Sequence, residues 1–254
     1  MRMGKRGFTL VELSIVIVVI GLLIGGILGA QSMVQTAKLN GAMRVLSQYE
    51  IAVSNFKTKF SQLPGDDTLF PDALGNVGNN DGLIGEHPAD WDYIAVEIGR
   101  EWSSLSLGVD LRDSSGEAFS SWNDGTWFHY LLPENCPRFK LNEFPSASFA
   151  DITCLMLLSN SAANGINITP ANSNRFWYGV YRDRRLGNII ERDPLTSIDT
   201  LSIDKKIDDG KPSAGIFRGV TYGVSAPAQC AVSGDYNLSS KDFICSFTLE
   251  LPNI

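Results

Sequence analysis

Residues 8–30 read FTLVELSIVIVVIGLLIGGILGA, a run of 23 residues with a single charged side chain, that of Glu12. An α-helix of this length crosses the hydrocarbon core of a bilayer, which is about 30 Å thick. The residues before it, MRMGKRG, are basic, and the positive-inside rule therefore predicts a cytoplasmic N-terminus. The chain after about residue 35 is then expected on the outer side of the membrane.

This apolar segment has two simple interpretations, a cleaved secretory signal peptide and a plain single-pass membrane anchor. A secretory signal peptide would be cleaved near Ala30, but Leu28 fits the small-residue cleavage pattern poorly. A plain single-pass anchor leaves Glu12 unexplained, because a carboxylate within the span costs about 2.5–3.5 kcal/mol without a partner. The position of Glu12 therefore calls for a partner.

The run GFTLVE at residues 7–12, after a short basic leader and before an apolar helix, resembles the processing motif of type IV prepilins. The resemblance implies that prepilin peptidase cuts between Gly7 and Phe8 and methylates the new N-terminal residue. It also implies assembly with other pilin or pseudopilin subunits on an inner-membrane platform, driven by a separate cytoplasmic ATPase. The subunit would begin in the inner membrane with its body in the periplasm, and end in a filament.

Glu12 lies four residues after the terminus that this cleavage would create. We expect its carboxylate to pair with the free amine of Phe8 on a neighbouring subunit, because two isolated charges at the same membrane depth are each unfavourable. In the alternative interpretation Glu12 lies near the cytoplasmic interface and reaches the headgroups, since four residues of helix span only about 6 Å.

The apolar pattern continues beyond the membrane as one stripe of a helix, with spacings of 4, 3, 4, 3 and 4. The helix is expected to end near Gln62, because Leu63 precedes a proline and Pro64-Gly65-Asp66 is a turn signal. The predicted divisions are a leader at 1–7, a membrane half at 8–30, an amphipathic half at 31–62 and a body at 63–254. The stripe consists of Ala42, Leu46, Tyr49, Val53, Phe56 and Phe60.

Four glycines weaken the membrane half, each by about 1 kcal/mol relative to alanine in a helix interior. They are consistent with close packing of helices in the membrane or with local unwinding in a filament, as in type IV pilins. These glycines are Gly21, Gly25, Gly26 and Gly29.

The body is predicted to be a single α+β domain in which the long helix packs on an antiparallel β-sheet, a pilin-like fold. Runs of β-forming residues occur at Phe176–Tyr181, Gly215–Val224 and Phe243–Leu251, whereas Ile152–Leu158 has no decisive periodicity. Gly75–Gly82 is rich in Gly and Asn and is expected to be a loop. Segments at 63–66, 80–84 and 203–210 resemble a sparsely characterised group of long pilin-like proteins.

Four cysteines follow the membrane segment, without a CxxC pair and with only two histidines in the chain, so a zinc site is weakly indicated. An even number of cysteines outside the membrane favours disulfides over buried free thiols. Of the three connectivities, we favour Cys230 with Cys245 across a hairpin-like loop, and Cys136 with Cys154 by exclusion.

Two loops carry oxygen ligands of the kind that calcium prefers, although ordinary solvated turns explain them as well. In the first, Asn79 and Asp81 resemble the middle of a calcium loop, but Val77 occupies the first ligand position. The second loop resembles the C-terminal calcium loops of major pseudopilins. Its oxygen-bearing residues are Asp235, Asn237, Ser239 and Asp242, of which Asp235, Asn237 and Asp242 are the candidate calcium ligands.

The charge and the motifs exclude several classes of function. The formal charge is −7, and loss of the leader leaves 18 basic against 28 acidic side chains, which argues against nucleic acid as the main partner. No GxxxxGK[ST], GxSxG or HExxH motif occurs, so no enzymatic activity is expected. A membrane-anchored carbohydrate-active enzyme with paired carboxylates is the least favoured alternative.

The sequence therefore predicts a structural subunit of a type IV pilus or a type II secretion pseudopilus. The length of the chain favours a minor subunit. A pilus-tip adhesin or substrate-binding subunit is the main alternative, because it would use the aromatic side chains of the body, although burial in the core explains them better. The aromatic residues concerned are Trp122, Trp127, Trp177, Tyr178 and Tyr181.

Overall fold

A computed structural model describes residues 9–71, 75, 77–84, 100, 102–112, 116–119, 151–159, 174–182, 195–221 and 229–251. Three helices occur in these residues: α1 (Leu10–Phe60), α2 (102–109) and α3 (Ser197–Ile207). The strands are β1 (Asp151–Ser159), β2 (Asn174–Arg182), β3 (Leu195–Thr196), β4 (Phe217–Val220), β5 (Ala231–Val232), β6 (Asp235–Tyr236) and β7 (Phe243–Glu250).

Helix α1 contains 51 residues and is about 77 Å long. It ends two residues before the expected Gln62, because Ser61 adopts a left-handed conformation with φ 57°. The Ser61 N–H donates to the carbonyl of Lys57 at 2.8 Å and closes the last turn.

The predicted stripe on the outer half of α1 is confirmed. Five of its six residues are buried and Phe60 is partly buried against the same core, so this face of the helix is covered by the body. The five buried residues are Ala42, Leu46, Tyr49, Val53 and Phe56.

Strand β7 is the centre of a five-stranded antiparallel sheet. Leu249 pairs with Phe176 of β2 and also with Phe217 of β4, so these two strands lie on opposite edges of β7. Strand β1 pairs with β2, β3 pairs with the start of β7, and β5 and β6 form a separate two-stranded ribbon. The predicted α+β architecture, with one long helix and an antiparallel sheet, is confirmed.

The core lies between α1, α2 and one face of the sheet. Trp102 of α2 stacks on Phe176 with ring centroids 6.3 Å apart, and meets Tyr49 of α1 edge-on at 4.9 Å. Gly108 lets α2 approach α1, because a Cβ there would lie 2.6 Å from the ring of Phe56. Helix α2 is therefore packed between the long helix and the sheet.

The chain leaves α1 through a buried polar loop. The Arg100 side chain is 1% exposed and donates to the carbonyls of Gly65, Asp67 and Phe70 at 2.7, 3.1 and 2.6 Å. Its guanidinium also lies 3.6 Å from the Asp67 carboxylate. One side chain thus holds together the turn that follows the long helix.

Asp66 in the same turn is fully buried and accepts the N–H groups of Asp81 and Gly82 at 3.2 and 2.9 Å. Burial raises the pKa of this carboxyl to about 6. These hydrogen bonds tie the predicted glycine- and asparagine-rich loop to the end of α1, and its described residues contain no helix or strand.

The predicted strands agree with the structure except in their lengths. The ambiguous run Ile152–Leu158 lies in β1. Strand β4 begins at Phe217 instead of Gly215, and the Ile216 N–H that precedes it donates to the Asp208 carboxylate. Residues 222–224 of the predicted run lie outside the described residues.

Candidate functional site

The N-terminal end of α1 is closed by a reciprocal pair of side chains. Thr9 is the N-cap residue, and its Oγ1 accepts the N–H of Glu12 at 3.3 Å. The Glu12 Oε2 accepts the N–H of Thr9 at 2.8 Å and its hydroxyl at 2.9 Å. This capping box satisfies backbone donors that would otherwise have no partner at the start of the helix.

The capping box leaves part of the Glu12 carboxylate available. All its bonds from Thr9 reach Oε2, and within the described residues no donor is found on Oε1. Gly7 and Phe8, the predicted processing residues, lie outside the described residues. The structure places Glu12 against the residue that follows Phe8, while its pairing with a neighbouring amine stays a prediction.

Sequence reasoning missed the role of Thr9. The signal was present, because Thr9 and Glu12 have the spacing of a capping box immediately before an apolar run. Glu12 is expected to contact a neighbouring subunit or the lipid headgroups, and the structure adds a contact within its own chain.

The membrane half of α1 lies outside the body. Its large apolar side chains between Leu10 and Ile27 are all about half exposed or more. Helix α1 is long and apolar enough to cross a membrane. None of its most apolar 18-residue window is buried against the rest of the chain. This half of the helix therefore needs lipid or other helices to cover it.

The four glycines of this half lie in continuous helix. A Cβ built at Gly21, Gly25, Gly26 or Gly29 meets no atom within 4 Å. Any close packing at these positions would thus involve another chain. Local unwinding in a filament stays an alternative prediction, since the single chain is helical throughout.

The outer half of α1 is joined to the body by polar contacts as well as by the stripe. The Gln35 amide donates to the Asp199 carboxylate, and the Lys206 ammonium donates to the Asn40 side chain. At the far end, Lys59 donates to the carbonyl of Gly108 at 2.9 Å. The body therefore holds α1 from Gln35 to the end of the helix.

Cys230 and Cys245 form a disulfide in the structure, with Cα atoms 5.0 Å apart. Both residues are fully buried, and Cys245 belongs to the central strand β7. This agrees with the pairing that the sequence favours. The other predicted pair lies outside the described residues, because Cys136 and the side chain of Cys154 are not among them.

The first candidate calcium loop uses its side-chain oxygens for its own backbone. Asn79 Oδ1 accepts the N–H of Asp81, and Asp81 Oδ1 accepts the N–H of Leu83, both at 2.9 Å. Asp81 Oδ2 accepts the Asn79 amide at 2.8 Å. These bonds describe a solvated turn, and the donor set does not converge as the six to eight oxygens of a calcium site do.

The second loop fits calcium no better. Asp235 forms an ion pair with Lys211 at 2.6 Å, which raises the pKa of the lysine and places an ammonium where a metal would bind. The Asn237 oxygen accepts the Ser239 hydroxyl at 2.6 Å, and Asp242 accepts that of Ser240 at 3.2 Å. Calcium at either loop is a prediction that the described contacts do not support.

Three carboxylates come together at the C-terminal end of α3, in the segment 203–210 that resembles long pilin-like proteins. Oxygen atoms of Asp204, Asp208 and Asp209 lie within 4.8 Å of one another. Asp204 accepts the Tyr236 hydroxyl at 2.7 Å and the Gly210 N–H at 3.0 Å, and Asp209 accepts the Lys211 N–H at 2.7 Å. These bonds stabilise the turn between α3 and β4 and explain the acidic IDKKIDDG segment as a structural one.

Comparison with known proteins finds a family match at the N-terminal end of the chain. Residues 2–28 match the family described as the prokaryotic N-terminal methylation motif. No curated protein and no solved structure matches the chain. The matched segment covers the basic leader, Gly7, Phe8, the capping box and most of the membrane half of α1. The N-terminal segment of the chain is therefore similar to this methylation motif, which supports a type IV prepilin-like or pseudopilin-like protein.

Proposed function

We propose that the chain is a minor structural subunit of a type IV pilus or a type II secretion pseudopilus, processed by prepilin peptidase and assembled through α1. The observation that carries this proposal is the division of one continuous helix into two halves. The half that carries the methylation motif is exposed, and the half beyond Gln35 is packed on a folded body.

This division suits a subunit that moves from a bilayer into a filament. In the membrane, lipid covers the apolar half of α1, and in the filament the same half packs among the α1 helices of other subunits. The body is held to the outer half by the stripe and by the polar contacts of Gln35, Asn40 and Lys59, so it travels with the helix as one unit.

The proposed topology places the N-terminus in the cytoplasm and the body in the periplasm. The basic leader supports this orientation by the positive-inside rule. The partners are prepilin peptidase, an inner-membrane assembly platform and other pilin or pseudopilin subunits, with energy from a separate cytoplasmic ATPase.

The function is mechanical and not enzymatic in this proposal. A tip adhesin is the second candidate, and the aromatic side chains on which it depends are not among those that the structure describes; they are Trp122, Trp127, Trp177, Tyr178 and Tyr181. Tyr49, Trp102 and Phe119 are buried against one another in the core, which is a structural use of aromatic side chains.

Intact-mass measurement of the membrane-extracted protein tests this function. In cells with prepilin peptidase we expect loss of residues 1–7 and gain of one methyl group on Phe8, whereas cells without the peptidase retain the full chain. Retention of Met1 in the presence of the peptidase contradicts the proposal. Quantifying the chain in sheared filaments then separates a minor subunit, present in few copies, from a major one.

A further inference from the structure

Helix α3 lies alongside the part of α1 where the body begins. Asp199, near the start of α3, contacts Gln35, and Lys206, near its end, contacts Asn40. The contacts follow the same order along both helices. The N-terminal end of α3 therefore points toward the membrane half of α1.

The height of this end above the membrane follows from helix geometry. Gln35 is five residues beyond Ala30, which corresponds to about 7.5 Å along the helix axis. The headgroup layer on each side of a bilayer is about 5–7.5 Å thick. The start of α3 thus lies at the outer edge of the headgroups when residues 8–30 span the hydrocarbon core.

Apolar side chains are exposed at this level. Ile198, in the first turn of α3, is 50% exposed, and helical side chains lean toward the N-terminus of their helix, here toward the membrane. Met33 and Val34 of α1, about 4.5 and 6 Å beyond Ala30, are 74% and 55% exposed. The neighbouring carboxylate of Asp199 is buried and accepts from Gln35 and from the hydroxyl of Thr196.

We propose that Ile198, Met33 and Val34 form a membrane-contacting rim that rests in the phospholipid headgroup layer before the subunit enters a filament. Only Gln31 and Ser32 separate Met33 and Val34 from the apolar run of the anchoring helix, and the bilayer is the occupant that lies at the level of the rim. The inference rests on the anchoring of α1 that the proposed function includes. It adds that the body is seated on the bilayer surface, so that extraction of the subunit must also separate the rim from lipid.

Nitroxide labels on the full mature chain, reconstituted in vesicles of phosphatidylethanolamine and phosphatidylglycerol, test the rim. The label is attached to Ile198→Cys, with Leu107→Cys and Val18→Cys as matched positions that are also exposed. Leu107 precedes Gly108, which packs on Phe56 about 39 Å beyond Ala30, and Val18 lies within the span. Non-reducing peptide mapping checks that the Cys230–Cys245 disulfide is retained in each variant.

Collision rates are measured with oxygen, which concentrates in lipid, and with a water-soluble nickel chelate. We expect the ratio of the oxygen rate to the nickel rate to be several-fold higher at position 198 than at 107, and lower than at 18. A ratio at 198 equal to that at 107, with 18 in lipid, overturns the rim and leaves anchoring intact. A ratio at 18 equal to that at 107 overturns anchoring and the rim together.

Discussion

Thr9 and Glu12 hold each other at the start of α1 through reciprocal hydrogen bonds, Thr9 N–H to Glu12 Oε2 at 2.8 Å and Glu12 N–H to Thr9 Oγ1 at 3.3 Å. The bonded N–H belongs to the residue that follows Phe8. The capping box therefore keeps the carboxylate beside the position where cleavage would create an amine. One carboxylate oxygen serves the helix of its own chain, and none of the described residues donates to the other, which we expect to accept from a neighbouring subunit.

Replacing Glu12 separates the pairing hypothesis from the interface alternative. We expect Glu12→Ala to insert in the membrane and to be cleaved, but to enter sheared filaments poorly, because the neighbouring amine loses its partner in a medium of low dielectric constant. If Glu12 only reaches headgroups, incorporation is unchanged. Filament incorporation is measured by immunoblotting of the sheared fraction against the membrane fraction.

Two further variants control for changes in the helix end itself. Thr9→Val removes the hydroxyl of the capping box but keeps the carboxylate, and we expect it to affect assembly less than Glu12→Ala. Ser14→Ala removes a polar group in the next turn, whose hydroxyl donates to the Val11 carbonyl at 2.9 Å, and normal assembly is expected. Equal defects in Thr9→Val and Glu12→Ala, with normal assembly of Ser14→Ala, would show that helix capping, and not pairing, governs assembly.

The Cys230–Cys245 disulfide is expected to stabilise the body. It closes a loop of 15 residues, for which chain entropy predicts about 3 kcal/mol. The double variant Cys230→Ala/Cys245→Ala should lower the free energy of unfolding by about this amount in urea titrations of the full chain in detergent. Recovery of free thiols at these positions from unreduced wild-type protein would refute the bridge, and the same digest tests the predicted Cys136–Cys154 pair.

The hydrogen bond between Tyr236 and Asp204 joins the β5–β6 ribbon to α3. Burial raises the pKa of the Tyr236 hydroxyl, so it donates at neutral pH, and burial also raises the pKa of Asp204. We expect Tyr236→Phe to lower the free energy of unfolding by about 1–3 kcal/mol at neutral pH, because a buried carboxylate loses a donor. The loss should shrink as pH falls and Asp204 becomes protonated, whereas a loss independent of pH would contradict this account.

Asp66 should make stability depend on pH. Its pKa is about 6 in the folded chain against 3.8 for an ordinary carboxyl, so the folded state binds this proton more tightly than the unfolded state. The Asp66 contribution to the free energy of unfolding therefore falls as pH rises from about 4 to about 6, by up to about 3 kcal/mol, and is constant above that range.

Urea titrations across this pH range check the prediction. Asp66→Asn should remove this part of the slope, since the amide does not ionise, whatever its effect on absolute stability. Asp242→Asn, a change at an exposed acidic residue of the second loop, is the matched control and should keep the slope. If the free energy of unfolding of Asp66→Asn still falls between about pH 4 and pH 6, a group other than Asp66 binds the proton.

Much of α1 follows from local sequence patterns. The apolar run at 8–30, the stripe from Ala42 to Phe60 and the turn signal at Pro64 each act over a few residues, so their periodicity is visible in one sequence. Strand β7 is predictable in the same way, because Phe243–Leu251 is a run of β-forming residues. The pairing of Cys230 with Cys245 can be predicted from the sequence because the two residues are only 15 positions apart.

The buried hydrogen bonds of the body cannot be predicted from local sequence patterns. Arg100 binds carbonyls 30–35 residues earlier in the chain, and Tyr236 reaches Asp204 across 32 residues. Which side chains meet over such separations depends on how the turn after α1, helix α3 and the β5–β6 ribbon pack together. A buried charge or hydroxyl is stable only where that packing supplies its hydrogen-bond partners. The local propensities of the residues do not predict which partners these are.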